Sequence, residues 1–143
     1  MTAVSSLQRT LAGEYAAVYC YGVIGGRVSA SKHPVLAGRT AQAYATHRAR
    51  RDQLIGMVRD AGATPVASAV SYELPGQTGT TEELAATATE LELRCARLYA
   101  DMVENTSLVH RQWAIDALAD AAVRQLGFTG AASAFPGVPG LPY

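Results

Sequence analysis

The chain has 143 residues, 49% of them hydrophobic and only 7% aromatic, and its 12 Lys and Arg balance its 12 Asp and Glu. This length suits a single domain that buries its own core. The charge balance excludes a general attraction to nucleic acid or to an anionic membrane surface.

The first predicted helix runs from about Ser5 to Val28, with Ser5 or Ser6 as N-cap. Leu7, Leu11, Glu14, Val18, Tyr21, Gly25 and Val28 step by alternating fours and threes, the spacing of a helix seam buried in a bundle. Glu14 therefore occupies a position where a leucine is expected. A carboxylate there costs several kcal/mol, roughly, unless it is paired, metal-bound or protonated. The uncharged stretch from Tyr15 to Gly26 is short of the roughly 20 residues that a bilayer span needs. No basic region leads into an apolar one at the N-terminus, so neither a signal peptide nor a membrane anchor is expected.

A short loop with Ser29, Ser31, Lys32, His33 and Pro34 precedes a second helix from about Gly38 to Ala61, closed by Gly62 with Pro65 soon after. The longest connection follows, Gly62 to Gly79, with Pro65, Pro75 and Gly76 in it. Thr80 or Thr81 caps a third helix reaching about Glu104, and Glu82 and Glu83 complement its N-terminal dipole. After Asn105, Thr106 and Ser107 a fourth helix spans about Leu108 to Leu126 and stops at Gly127. These elements divide the chain into a helical bundle over 1–127 and a Pro/Gly-rich tail over 128–143. No strand pattern and no solenoid repeat compete.

Loop lengths set the topology. Short, long, short makes two antiparallel hairpins. The 62–79 connection could extend about 60 Å at ~3.3 Å per residue, whereas a helix of this size is about 35 Å long at 1.5 Å per residue. It can run the length of the bundle and leave helices two and three parallel. One long crossover between two hairpins is the ferritin-like arrangement, and the fold class expected is an all-α, ferritin-like four-helix bundle. An up-down-up-down bundle with a folded-back linker is the alternative.

The string Glu14-Tyr15-Ala16-Ala17-Val18-Tyr19 followed by Gly22, the run His47-Arg48-Ala49-Arg50-Arg51-Asp52, Tyr72-x-Leu74-Pro75 and Leu91-Glu92 resemble an actinobacterial ferritin-like family of unknown function. The likeness covers all four helices and ends at Phe135-Pro136-Gly137. It implies a ferritin-like fold and a dimer, and brings no known activity.

A dinuclear carboxylate centre in this fold takes a Glu from each of two helices and Glu-x-x-His from each of the other two. Helix one offers Glu14; helix three offers Glu90 and Glu92, and Glu92 shares a seam with Ala88, Cys95, Tyr99 and Met102. Helix two reads Tyr44-Ala45-Thr46-His47, with a phenol at the carboxylate position. Helix four has Asp116 and Asp120 but no histidine after His110. A di-iron centre is therefore not expected, no cofactor is assigned, and Glu14, His47 and Glu92 remain only as a candidate single-metal set.

The structural reading of the same residues is an ion-pair network: Glu14 and Glu92 neutralise His47, Arg50 and Arg51, with Tyr44 beside them, while Asp52 bridges on the rim and Arg48 is solvated. Cys20 and Cys95 belong to no Cys/His cluster and are expected as reduced, buried thiols of a cytoplasmic protein. Tyr15, Tyr19, Tyr21, Tyr44 and Tyr99 with the two thiols could form a redox-active interior, although such residues at helical spacing usually build core. The Gly22-x-x-x-Gly26 spacing permits close helix contact, and His33 and His110 are read as loop and surface residues. No serine nucleophile with a base, phosphate loop or zinc spacing is present. The function expected is that of a non-catalytic homodimeric binding or structural protein; the alternative is a metal- or small-molecule-binding redox protein using the Glu14/His47/Glu92 pocket.

Overall fold

In the computed structural model, which describes residues 1–130 and 136–138, four helices form the bundle: α1 Ala3–Arg27, α2 Pro34–Asp60, α3 Thr81–Asn105 and α4 Leu108–Thr129. Among the described residues there is no strand, and no helix is long and apolar enough to cross a membrane.

The ends of the first three helices that differ from or match the sequence reading have local causes. The cap of α1 is Thr2 rather than Ser5 or Ser6; Ser5 closes the capping box from the third helical position. The second helix starts at Pro34, four residues before Gly38, because proline at the first helical position lacks only an N–H that would go unpaired there. It ends where Gly62 takes a left-handed φ of 78°. Thr80 caps α3 and Glu83 returns the bond to the Thr80 backbone N–H at 3.1 Å. Thr80→Ala is expected to cost about 1 kcal/mol and to lower the melting temperature by roughly 3 °C, measured by circular dichroism.

The largest boundary correction falls on α4. It passes through Gly127 and stops at Gly130, whose φ is 74°. Phe128 stacks on the buried ring of Tyr21 with centroids 6.2 Å apart, and the Arg39 guanidinium covers the Gly127 carbonyl. Those anchors hold the helix through its glycine. Phe128 thus belongs to the bundle, whereas the tail residues Phe135, Leu141 and Tyr143 lie outside the described residues.

Contacts between helices fix their directions. Between α1 and α2, Glu14 faces His47 and Gly25 faces Thr40. Between α1 and α3, Glu14 meets Tyr99 and Tyr21 meets Glu92. Between α2 and α4, Gln53 bonds Trp113 and Arg50 bonds Asp120. In each pair the numbers rise on one helix as they fall on the other, so all three pairs are antiparallel. With α3 and α4 also antiparallel through their short turn, α2 and α3 are parallel, on opposite corners.

The long connection, residues 61–80, accomplishes this by running along α1. Gln8 holds its start, donating to the Thr64 carbonyl at 2.7 Å and accepting from the Val66 N–H at 2.8 Å. Tyr72 packs on Tyr19 with ring centroids 5.9 Å apart, Cys20 donates to the Glu73 carbonyl at 3.8 Å, and Thr78 bonds Arg27. The contacts on α1 advance from its first turn to its last.

Two apolar clusters flank the middle of the bundle. Leu7, Leu11, Leu54, Val58, Met102 and Ala114 fill one end; Cys20, Tyr21, Ile24, Ala43, Leu91 and Tyr99 belong to the other. The layer between them is polar.

Candidate functional site

The polar layer is a hydrogen-bonded chain through three helices. Seam positions on α1, α2 and α3 bring Glu14, His47 and Glu92 together at 1%, 0% and 0% exposure. His47 donates from Nδ1 to Glu14 Oε2 at 2.6 Å and from Nε2 to Glu92 Oε1 at 3.0 Å. Two tyrosines close the ends: Tyr99 donates to Glu14 Oε1, and Tyr21 to Glu92 Oε1 at 2.6 Å. The sequence of groups is Tyr99, Glu14, His47, Glu92, Tyr21, near-symmetric about the imidazole. Tyr21 also stacks on the His47 ring, with centroids 5.3 Å apart.

The helix-four side supplies further charges. Arg50 donates to the Tyr99 hydroxyl at 3.2 Å and to Asp120 Oδ2 at 2.6 Å, and its guanidinium lies 5.1 Å from the Tyr99 ring centre. Arg124 donates to the same Asp120 oxygen at 2.6 Å and to Thr46 at 3.2 Å, with its Nε 3.9 Å from Glu92 Oε1. The acids Glu14, Glu92 and Asp120 thus stand against His47, Arg50 and Arg124, so the cluster is formally neutral when His47 is protonated.

That protonation follows from the surroundings. Burial disfavours a charged imidazole, but the Glu14 carboxylate and the hydrogen bonds to Glu14 and Glu92 outweigh it, lifting the His47 pKa from 6.5 to about 9. Both ring nitrogens face carboxylate oxygens, and the imidazolium, unlike either neutral tautomer, can donate to both. Burial, reinforced by the neighbouring carboxylates, pushes the Tyr21 and Tyr99 phenols well above 10. Asp120 is held below its ordinary value: partial burial opposes this, but Arg124 and Arg50 prevail. One atom stands apart. Glu92 Oε2 is buried and accepts no hydrogen bond among the described residues, whereas Oε1 accepts two.

Glu14, His47, Arg50 and Glu92 therefore meet in one cluster, and two residues named with them do not. Arg51 turns outward, one helical step from the seam, and donates to Asp52 at 2.8 Å with Asp52 on the rim. Tyr44 is half-buried beside Gly22 and Thr40 in a cleft of about 400 Å³ between α1 and α2, and reaches neither acid. Arg48 is exposed, with its guanidinium 5.6 Å from the Tyr44 ring centre. Glu90 pairs with Arg94 at 3.3 Å, one turn along the surface of α3.

Sequence reasoning missed Arg124 and gave Asp120 no role. Their signal was present: an acid and a base four residues apart, interleaved with the buried Ala117 and Ala121. The phenols of Tyr21 and Tyr99 were placed in the core, but their acceptors could not be read from one helix at a time.

A sequence profile of a domain of unknown function, DUF4439, matches residues 6–140. Among solved structures the chain is similar to a conserved hypothetical protein of Mycobacterium tuberculosis, at 29% identity and a TM-score of 0.81, over 88% of this chain and 93% of that one. It is also similar in fold to a ferritin-like, diiron-carboxylate protein of Bacillus anthracis, at 19% identity and a TM-score of 0.76, over 88% of this chain and 91% of that one. No curated protein matches.

Proposed function

Because the chain belongs to the DUF4439 family and has a ferritin-like fold, we propose that it is a non-catalytic, homodimeric binding or structural protein in which an ion-pair network takes the place of a dinuclear metal centre. One observation carries this reading: the two ring nitrogens of buried His47 lie 2.6 Å from a Glu14 oxygen and 3.0 Å from a Glu92 oxygen, and the imidazolium donates to both. A metal ligand must present a lone pair, and neither nitrogen has one to give. The donor set fits two metals no better elsewhere, since Tyr44 stands where helix two needs a carboxylate and reaches neither Glu14 nor Glu92, and Asp120 is taken by Arg50 and Arg124. In this reading the cluster's role is to fix the register of α1, α2, α3 and α4 against one another. The free, buried thiols of Cys20 and Cys95 accord with a cytoplasmic setting.

The second reading, a single metal or small molecule held at Glu14, His47 and Glu92, has one observation in its favour, the unpartnered Glu92 Oε2. It requires His47 to release a proton and turn from at least one acid.

Metal analysis of protein purified without chelators, followed by titration with Fe(II), Mn(II) and Zn(II), separates the two. The network predicts metal content far below one per chain and no rise in melting temperature with added metal. A site binding at a thousandth of the metal concentration would add about 4 kcal/mol of stability. Two metals per chain, about 3.5–4 Å apart, would overturn the proposal.

A further inference from the structure

Residues 136–138 meet the bundle on α3. Proline fixes the φ of position 136 near −65°, and Gly137 follows with a φ of 78°, the two central positions of a type II turn. A Cβ added to Gly137 would lie 2.5 Å from the Ala96 carbonyl oxygen, 3.0 Å from its carbon and 3.1 Å from Ala100 Cβ. Gly137 therefore lies flat on the backbone of α3. At Gly13, Gly76 and Gly79 an added Cβ would crowd the side chains of Leu98, Thr87 and Glu83, which can turn away. Among the described glycines only Gly137 would strike main chain, which cannot yield without disturbing a helix.

The receiving surface is shaped for a close approach. Ala96 and Ala100 are four apart, so they share one face of α3 and leave a notch that longer side chains would fill. Ala96 is 1% exposed although Arg97 beside it faces water. Its carbonyl accepts the helical bond of the Ala100 N–H, and Gly137 packs against that same oxygen. Ala96 lies between Glu92, which accepts from His47, and Tyr99, which donates to Glu14. The notch thus backs the stretch of α3 that presents both residues to the polar layer.

We propose that this notch is a docking site for the Pro136–Gly137 turn of the protein's own C-terminal segment, which closes that face of α3 and braces the stretch carrying Glu92 and Tyr99. The occupant follows from chain length. Tyr99 and Trp113 meet with ring centroids 6.0 Å apart. That level sets Gly130 about 21 Å along the bundle from Ala96 at 1.5 Å per residue. The seven residues from Gly130 to Gly137 reach about 23 Å at ~3.3 Å per residue, which is enough. The site reads a backbone shape, a left-handed residue without a Cβ, and the preceding proline restricts the free segment towards that shape before it docks. This contact is made within one chain and holds whether or not copies pair. It is small, so the segment should open far more readily than the bundle unfolds.

NMR on the isotope-labelled full chain tests it. The expected results are an NOE between the Gly137 Hα protons and the Ala100 methyl, and an order parameter for Gly137 of about 0.85 rather than below roughly 0.6. Gly137→Ala should abolish the contact, speed exchange of the Ala100 amide severalfold and move the melting temperature by less than about 3 °C. Ala100→Leu fills the notch from the other side with little change in helix propensity and should also release the turn. Val138→Ala, at a position 47% exposed, should leave the contact intact. A synthetic peptide of residues 131–143 at millimolar concentration, the effective concentration of a short tether, should bind the Gly137→Ala chain and restore slow exchange. A wild-type protein without the NOE, or one whose contact survives both Gly137→Ala and Ala100→Leu, overturns the docking site. A peptide that fails to bind overturns the notch as a recognition surface. In a mixture of labelled and unlabelled protein, an NOE found only between copies overturns the own-chain occupant.

Discussion

Glu14→Leu is expected to lower stability by about 3–5 kcal/mol, the cost of leaving a buried ion with one partner removed. For a chain of this length that corresponds to a fall in melting temperature of roughly 10–15 °C. Glu14 accepts from both His47 and Tyr99, and Tyr99 in turn accepts from Arg50. Leucine is close in volume, so the loss comes from stranded donors rather than from a cavity. The double variant Glu14→Leu/His47→Leu removes the cation together with its acceptor and should recover part of the loss, with a coupling of about 1–3 kcal/mol. Denaturant unfolding of the two single variants and the double measures this. An unchanged midpoint for Glu14→Leu would remove the network from any structural role.

The second large effect is a dependence on pH that runs opposite to that of an ordinary acid-sensitive protein. His47 titrates near 6.5 when unfolded and at about 9 in the bundle. Below 6.5 both states carry the proton and the stabilisation is complete. Between 6.5 and 9 folding takes up a proton, so stability falls as pH rises, with a slope approaching 1.4 kcal/mol per unit. From pH 6.5 to 8.5 the loss should be about 2–3 kcal/mol, or some 6–9 °C in melting temperature. That window avoids the thiols: burial raises Cys95 and Cys20 above 9.0, so they add a loss in the same direction only at higher pH. His47→Gln, which cannot take up a proton, should flatten the profile. A wild-type melting temperature constant over this range would contradict the imidazolium assignment.

The helices and their pairing were legible because they depend on local chemistry. Seam spacing, the Thr80 cap, the glycine at position 62 and the length of the central connection each follow from backbone geometry and from the need to bury an apolar stripe. The starts of α1 and α2 were misread for local reasons, at Thr2 and Pro34; elsewhere the reading failed where a distant group prevailed. Gly127 reads as a stop until Phe128 is anchored on Tyr21 and Arg39 on the Gly127 carbonyl. Arg51 reads as near the core face until one helical step, about 100°, turns it to Asp52 at the rim while Arg50 points inward.

The sequence by itself determined that Glu14, His47 and Glu92 lie on buried faces of three helices and that helix four cannot supply a second Glu-x-x-His. Both facts depend only on residue type and helical period. Only the tertiary structure decided how the buried charge is neutralised. His47 sits between two acids, two phenols complete their shells, and Arg50 and Arg124 share Asp120. Which polar atoms come within 3 Å of one another depends on the rotation and spacing of four helices at once, and no single helix's sequence contains that information.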